Sequence, residues 1–99
     1  MLYVITGVDL PDSFELRMQH RPAHLARLQA LLSVGRLTLA GPLSTTDDGD
    51  LRQSGVVGSL IVAEFASLAD ASAWAHADPF LAHGIYREVK IQPFRKVLP

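Results

Sequence analysis

Hydrophobic and polar positions alternate, cluster and break along this chain in a way that predicts six main elements. Leu2 to Val8 is a short apolar, β-branched run and reads as a first strand. Asp12 or Ser13 can cap a helix beginning just after them, since each offers an oxygen to an orphan backbone N–H. From Phe14 the pattern turns helical, and Pro22 predicts a break or kink, because proline lacks the N–H and clashes with the preceding turn. A second helical segment then runs from Pro22 to about Val34. Leu25, Leu28 and Leu32 form its buried stripe, Leu31 lies on the edge, and Gly35 ends it. Leu37 to Gly41 reads as strand two, stopped by Pro42, and Ser44 to Gly55 as a polar, turn-rich loop. Val56 to Phe65 is strand three. Ala66 to Ala77 is an alanine-rich helix capped by Ser67, with Leu68, Ala71, Trp74 and Ala75 on one face. Asp78 can cap a short extra turn that begins at Pro79. Ile85 to Val97 is strand four, where a shift of the apolar positions after Pro93 predicts a bulge or edge distortion.

The order is βαββαβ. Right-handed crossovers and short connections make this an α+β, ferredoxin-like sandwich: one four-stranded antiparallel sheet with both helical segments on one face. Strand three, SLIVAEF, is apolar at nearly every position, and strand one, LYVITGV, behaves alike. A sheet with one wet face should alternate instead. Two helices cover only one face, so a second copy of the chain is expected on the other, making a homodimer.

Composition narrows the function. Ninety-nine residues suit one domain, spanning 1–99, and 48% hydrophobic against 19% charged residues is an ordinary globular balance. A formal net charge of −1, with no long basic run, argues against binding nucleic acid through its phosphates. Strand three also lacks a mid-strand aromatic for stacking RNA bases. With no cysteine there is no disulfide framework or thiolate site, which fits a reducing cytoplasm. No stretch approaches the roughly 18 apolar residues of a membrane span, and the N-terminus reads as a strand rather than a signal peptide.

The candidate chemistry centres on HRPAHL. His20 and His24 have the i, i+4 spacing of a two-histidine metal clip, but no third ligand accompanies them and Pro22 disturbs the spacing. His24 alone, at the border of the buried stripe, could serve as a general base or simply pack at a helix start. Arg17 and Arg21 would cluster near it if the helix is not fully broken, and would suit an anionic ligand or form a solvated basic face. Asp78, besides capping, could orient an imidazole. Glu64, Glu88, His76 and His83 read as ordinary strand and helix-end residues. No phosphate loop, nucleophile elbow or metal cluster is present.

Six stretches in order, MLYVI, LRMQHRPAHLARLQAL, GRLTLAGPL, VVGSLIVAEF, WAHADPF and GIYREVKIQPFRKV, resemble the YciI-like proteins over essentially the whole length. The resemblance implies a ferredoxin-like fold that dimerises into an α+β barrel, with a His–Asp site in a cleft. That site maps to His24 and Asp78. Arg17 and Arg21 match basic positions beside the histidine, and Ser59 matches the serine of the Gly-Ser pair on strand three. His20 matches no histidine of the pattern. Leu60 departs from it, standing where a hydroxyl residue is common; if that position touches ligand, a less polar ligand is expected. A related degradative enzyme removes chloride from a chlorinated, hydroxylated ring.

The expectation is a cytoplasmic homodimer using His24 and Asp78 for proton transfer on a small anionic cyclic or aromatic molecule, by isomerisation or elimination. No metal or organic cofactor is expected. The alternatives are a binding protein that uses the same cleft without catalysis, and a metal or haem site centred on His24.

Overall fold

A computed structural model describes residues 1–47, 49–50 and 55–99. Its elements are β1 (Leu2–Asp9), α1 (Phe14–Ser33), β2 (Leu37–Ser44), β3 (Val56–Glu64), α2 (Leu68–His76), α3 (Pro79–Ala82) and β4 (Tyr86–Phe94). The strands form one antiparallel sheet in the order β2-β3-β1-β4, the ferredoxin-like arrangement. The two apolar strands, β1 and β3, are therefore its centre. Part of the predicted Ser44 to Gly55 loop lies outside the described residues.

The register sorts the side chains between the two faces. Ile5 stands beside Ile61 and Ile91, and Tyr3 beside Ala63. These residues pack with Leu28 and Leu31 of α1 and Ala71 and Ala75 of α2 to form the main core. Alanine at the α2 contacts lets its backbone approach the sheet closely. The alternate positions, Val4, Leu60 and Val62 with Leu39 and Leu43 of β2, share the face turned away from the helices.

Three expectations change here. First, α1 runs unbroken through Pro22 for 20 residues. The proline is exposed, so the Met18 carbonyl that loses its partner lies on a solvated side and the flanking turns carry the helix through. Second, Leu31 is buried and Leu32 is 57% exposed, the reverse of the expected stripe. A continuous helix starting at Phe14 turns a different angle to the sheet from one restarted at Pro22. Third, β2 continues past Pro42 to Ser44. Proline is tolerated there because β2 is an edge strand, where a missing N–H need not break a ladder.

The caps agree with the sequence more closely. Gly35, with φ of 73°, ends α1: its N–H donates to the Leu32 carbonyl and that of Arg36 to the Leu31 carbonyl, a Schellman closure. Ser67 accepts from the Asp70 N–H at the start of α2. Ser13 occupies the cap position of α1 but makes no side-chain cap bond, and Asp12 takes a left-handed turn conformation (φ 59°).

In β4, the other edge strand, the irregularity falls at the start and not at Pro93, which stays in register opposite Tyr3 of β1. Val8 pairs with Glu88 but Asp9 pairs with Tyr86, so Arg87 is an extra residue. Simple alternation from Val89 would place Tyr86 on the face away from the helices. The bulge turns it to the helix side, where it is buried against Phe80.

Because Pro22 removes one hydrogen bond from an otherwise complete helix on an exposed turn, Pro22→Ala should restore the bond to the Met18 carbonyl. Thermal or urea unfolding should show a gain of about 1–3 kcal/mol.

Candidate active site

Helix α1 repeats Arg17, Arg21, His24 and Leu28 along one side, at the spacing of successive turns. Between this side and β2–β3 lies a pocket of about 190 Å³ lined by Arg17, Arg21, His24 and Ser59, with Phe14, Met18, Leu25, Leu28 and Ile61 among its apolar walls. An apolar cavity of about 150 Å³ holds one benzene ring, so this volume matches a single-ring molecule.

His24 is held from two directions. Its Nδ1 lies 3.0 Å and 2.9 Å from the two carboxylate oxygens of Asp78. Its ring stacks on Phe80, with centroids 4.0 Å apart and planes 8° from parallel. Asp78 is in place because α2 ends at Ala77 and the chain turns extended before Pro79, the first residue of α3. There the Phe80 N–H donates to the same carboxylate at 2.8 Å. Cap and partner are one group. In the neutral imidazole, an acceptor-only carboxylate facing Nδ1 puts the proton on that nitrogen and leaves Nε2 its lone pair. Asp78 does not line the pocket; it stands behind His24.

Arg27 braces the same corner. It donates to the Trp74 carbonyl at 2.6 Å, lies over the Trp74 ring at 4.3 Å, and comes within 3.7 Å of Asp78. Burial pushes its pKa below the ordinary arginine value, with Asp78 opposing.

Arg17 sits on the other flank of His24 and is buried. Its Nε donates to Asp9 at 2.9 Å, and its Nη2 donates to the Gly58 carbonyl at 3.0 Å and to the Ser59 hydroxyl. The guanidinium also lies 4.7 Å from the centre of the Phe80 ring. Its charge is thus committed to Asp9, while Arg21 stands exposed at the pocket mouth. Burial raises the Asp9 pKa, and the bond and charge of Arg17 work against that rise.

Tyr86 packs against Phe80 behind the site and does not line the pocket. Its ring meets Phe80 edge-on at 5.5 Å, and lies where a side chain on Gly7 would stand: a Cβ there would come 2.4 Å from the phenol ring. Burial pushes its hydroxyl up to about 12, with Ser59 opposing. The hydroxyl faces Ser59 but does not reach full hydrogen-bond geometry with it.

All five residues expected from sequence, Arg17, Arg21, His24, Ser59 and Asp78, therefore meet in one corner. Two other positions lie apart from it. His20 stacks on His83 with ring centroids 3.9 Å apart, and is not paired with His24. Leu60, opposite Thr6, points to the other face of the sheet and does not line the pocket. Asp9, Arg27, Phe80 and Tyr86 were not singled out in the sequence. An acidic residue ending an apolar strand was the available signal for Asp9. For Tyr86 there was none, because the bulge at Arg87 decides its direction.

The family model of the YCII-related domain matches residues 1–95. The chain belongs to this family. It is 53% identical to Protein YciI of Escherichia coli O6:H1 strain CFT073 over 97 residues, 98% of this chain and 99% of that protein. An uncharacterized Haemophilus influenzae protein is 41% identical with the same coverage. Among solved structures, 5-chloro-2-hydroxyhydroquinone dehydrochlorinase of Burkholderia phenoliruptrix AC1100, in complex with 2,5-dihydroxybenzoquinone, matches with a TM-score of 0.84 and 25% identity. That match covers 96% of this chain and 94% of the dehydrochlorinase. An Agrobacterium tumefaciens protein, at 17% identity and a TM-score of 0.51, shares the fold.

Raising the Tyr86 pKa from 10.0 to about 12 has a signed consequence for this YCII-related chain. The folded state keeps the proton longer than the unfolded state does, so stability is intact below pH 10 and falls as pH rises toward 12. Urea unfolding at stepped alkaline pH should show a loss approaching about 2 kcal/mol, and Tyr86→Phe should flatten it.

Proposed function

We propose that the protein is a cofactor-independent proton-transfer enzyme, an isomerase or a lyase of the dehydrochlorinase type, acting on a small anionic cyclic or aromatic molecule in the cytoplasm. The observation that carries this reading is the buried His24–Asp78 bond, which leaves Nε2 as the basic nitrogen beside a ring-sized pocket. In this mechanism Nε2 takes a proton from the ring substrate. The electron pair of the broken bond moves into the ring as an enolate or expels an anionic leaving group such as chloride. Asp78 stabilises the imidazolium that forms. Isomerisation ends with His24 returning the proton at another carbon. In this reading Ser59 and Arg21 meet substrate oxygens, and Arg17 holds Ser59 rather than the substrate. The dehydrochlorinase that shares this fold has a hydroxylated quinone bound, which supports the substrate class.

The test is a screen of hydroxylated quinones, halogenated hydroquinones and lactones with wild type, His24→Ala and Asp78→Asn. Asn can still accept at the α3 cap, so Asp78→Asn should stay folded and lose about 10²–10⁴-fold in rate, with His24→Ala at least as impaired. Tight binding without turnover in any of the three would identify a binding protein instead.

The reading extends to a homodimer packed through the exposed sheet face. Leu39 and Leu43 are 50% and 39% exposed there, continuous with Val4 and Leu60 on the central strands. Light scattering should give a dimeric mass for wild type and a folded monomer for Leu39→Glu; a monomeric wild type would overturn it.

A further inference from the structure

The expected apolar stripe of α1 contained more leucine than the core uses. Leu28 and Leu31 enter the core, Leu25 is half-buried, and Leu32 is left 57% exposed. These unused positions are not scattered over the surface. Leu25, Leu28, Leu32, Leu37 and Ala40, with Gln29 at the rim, line a second depression of about 160 Å³ between α1 and β2. It shares Leu25, Leu28 and Ala40 with the pocket beside His24. The two depressions adjoin, one polar and cationic beside His24 and the other apolar. Ala40 stands between them, and its short side chain separates them by little bulk.

A pocket of about 190 Å³ takes one ring, and the annex adds space for a group of nearly the same size. A single-ring ligand anchored at His24 would leave the apolar end wet. We propose that the annex is a substrate subsite, and that the ligand is an acidic hydroxylated ring bearing an apolar substituent, a short alkyl chain or a second ring. The ring sits between Arg21, Ser59 and His24, and the substituent lies along Leu25, Leu28 and Leu32. The inference rests on the proposed reading of the His24 pocket and adds the substituent. It distinguishes this chain's ligand from the unsubstituted 2,5-dihydroxybenzoquinone in the related dehydrochlorinase structure.

The probes are 2,5-dihydroxybenzoquinone and its 3-ethyl, 3-butyl and 3-hexyl derivatives, titrated calorimetrically into wild type and Leu32→Gln. Complete burial of a methylene gives about fourfold in affinity, and a groove open on one side about twofold. The 3-butyl compound should therefore bind wild type roughly fifteenfold more tightly than the unsubstituted ring. In Leu32→Gln the ratio of the two affinities should fall several-fold. A ratio near one in wild type overturns the subsite while leaving the His24 pocket standing. An undiminished ratio in Leu32→Gln also overturns it. Failure of every probe to bind overturns the pocket reading and the subsite together. Light scattering on the same variant covers the remaining occupant: if Leu32→Gln dissociates a wild-type dimer, the groove is a contact between copies and the subsite is overturned.

Discussion

The buried carboxylate of Asp78 is the constraint on which this molecule's arrangement turns. Taking an ionised carboxylate out of water costs several kcal/mol, and the group persists only where donors replace the lost solvent. Three elements of its surroundings supply them: the Phe80 N–H of α3, His24 Nδ1 of α1, and the nearby Arg27 guanidinium, also of α1. A helix cap, a helix–helix contact and the orientation of the imidazole are satisfied by one side chain. Removing the carboxylate would do more than release an imidazole. It would uncap α3, which carries Phe80, the surface on which the imidazole rests.

A second buried ion pair repeats the logic on the other flank. Arg17 joins the end of β1 to β3 by bonding Asp9, the Gly58 carbonyl and Ser59. It also fixes how Ser59 is presented to the pocket. The two charged corners meet across Phe80, whose ring contacts both the Arg17 guanidinium and the His24 imidazole. A proton taken up at His24 would therefore arise in a place where two carboxylates and two guanidinium groups already hold fixed positions. Such preorganised charge is what a proton-transfer site needs, because little has to move as charge develops.

Several features were legible in the chain because they depend on neighbours in sequence. The Schellman end at Gly35, the Ser67 cap and the Asp78–Pro79 start of α3 each depend on the chemistry of a few consecutive residues. The βαββαβ order comes from apolar runs and breaks, and His24, Asp78, Arg17, Arg21 and Ser59 were marked by motif. The errors fell where position in the fold outranks local propensity. Pro22 and Pro42 read as breakers, yet one lies on an exposed helical turn and the other on an edge strand, where each omission is tolerated. Leu32 was expected inside because its spacing matches Leu25 and Leu28; only the packing angle of α1 decides that Leu31 goes in instead.

The sequence by itself determined the elements and the fold class, and marked His24, Asp78, Arg17, Arg21 and Ser59 as candidates. Tertiary structure alone decided how those residues are used. Asp9 and Arg17 became a buried pair because β1 ends beneath α1, and Tyr86 came to pack on Phe80 because one extra residue, Arg87, reversed the side-chain alternation of β4. His20 was drawn to His83, on the far end of α3, and away from any partnership with His24. The physical reason is the same in each case. Local patterns specify backbone conformation within a few residues, whereas the company a side chain keeps depends on register and packing between segments distant in the chain.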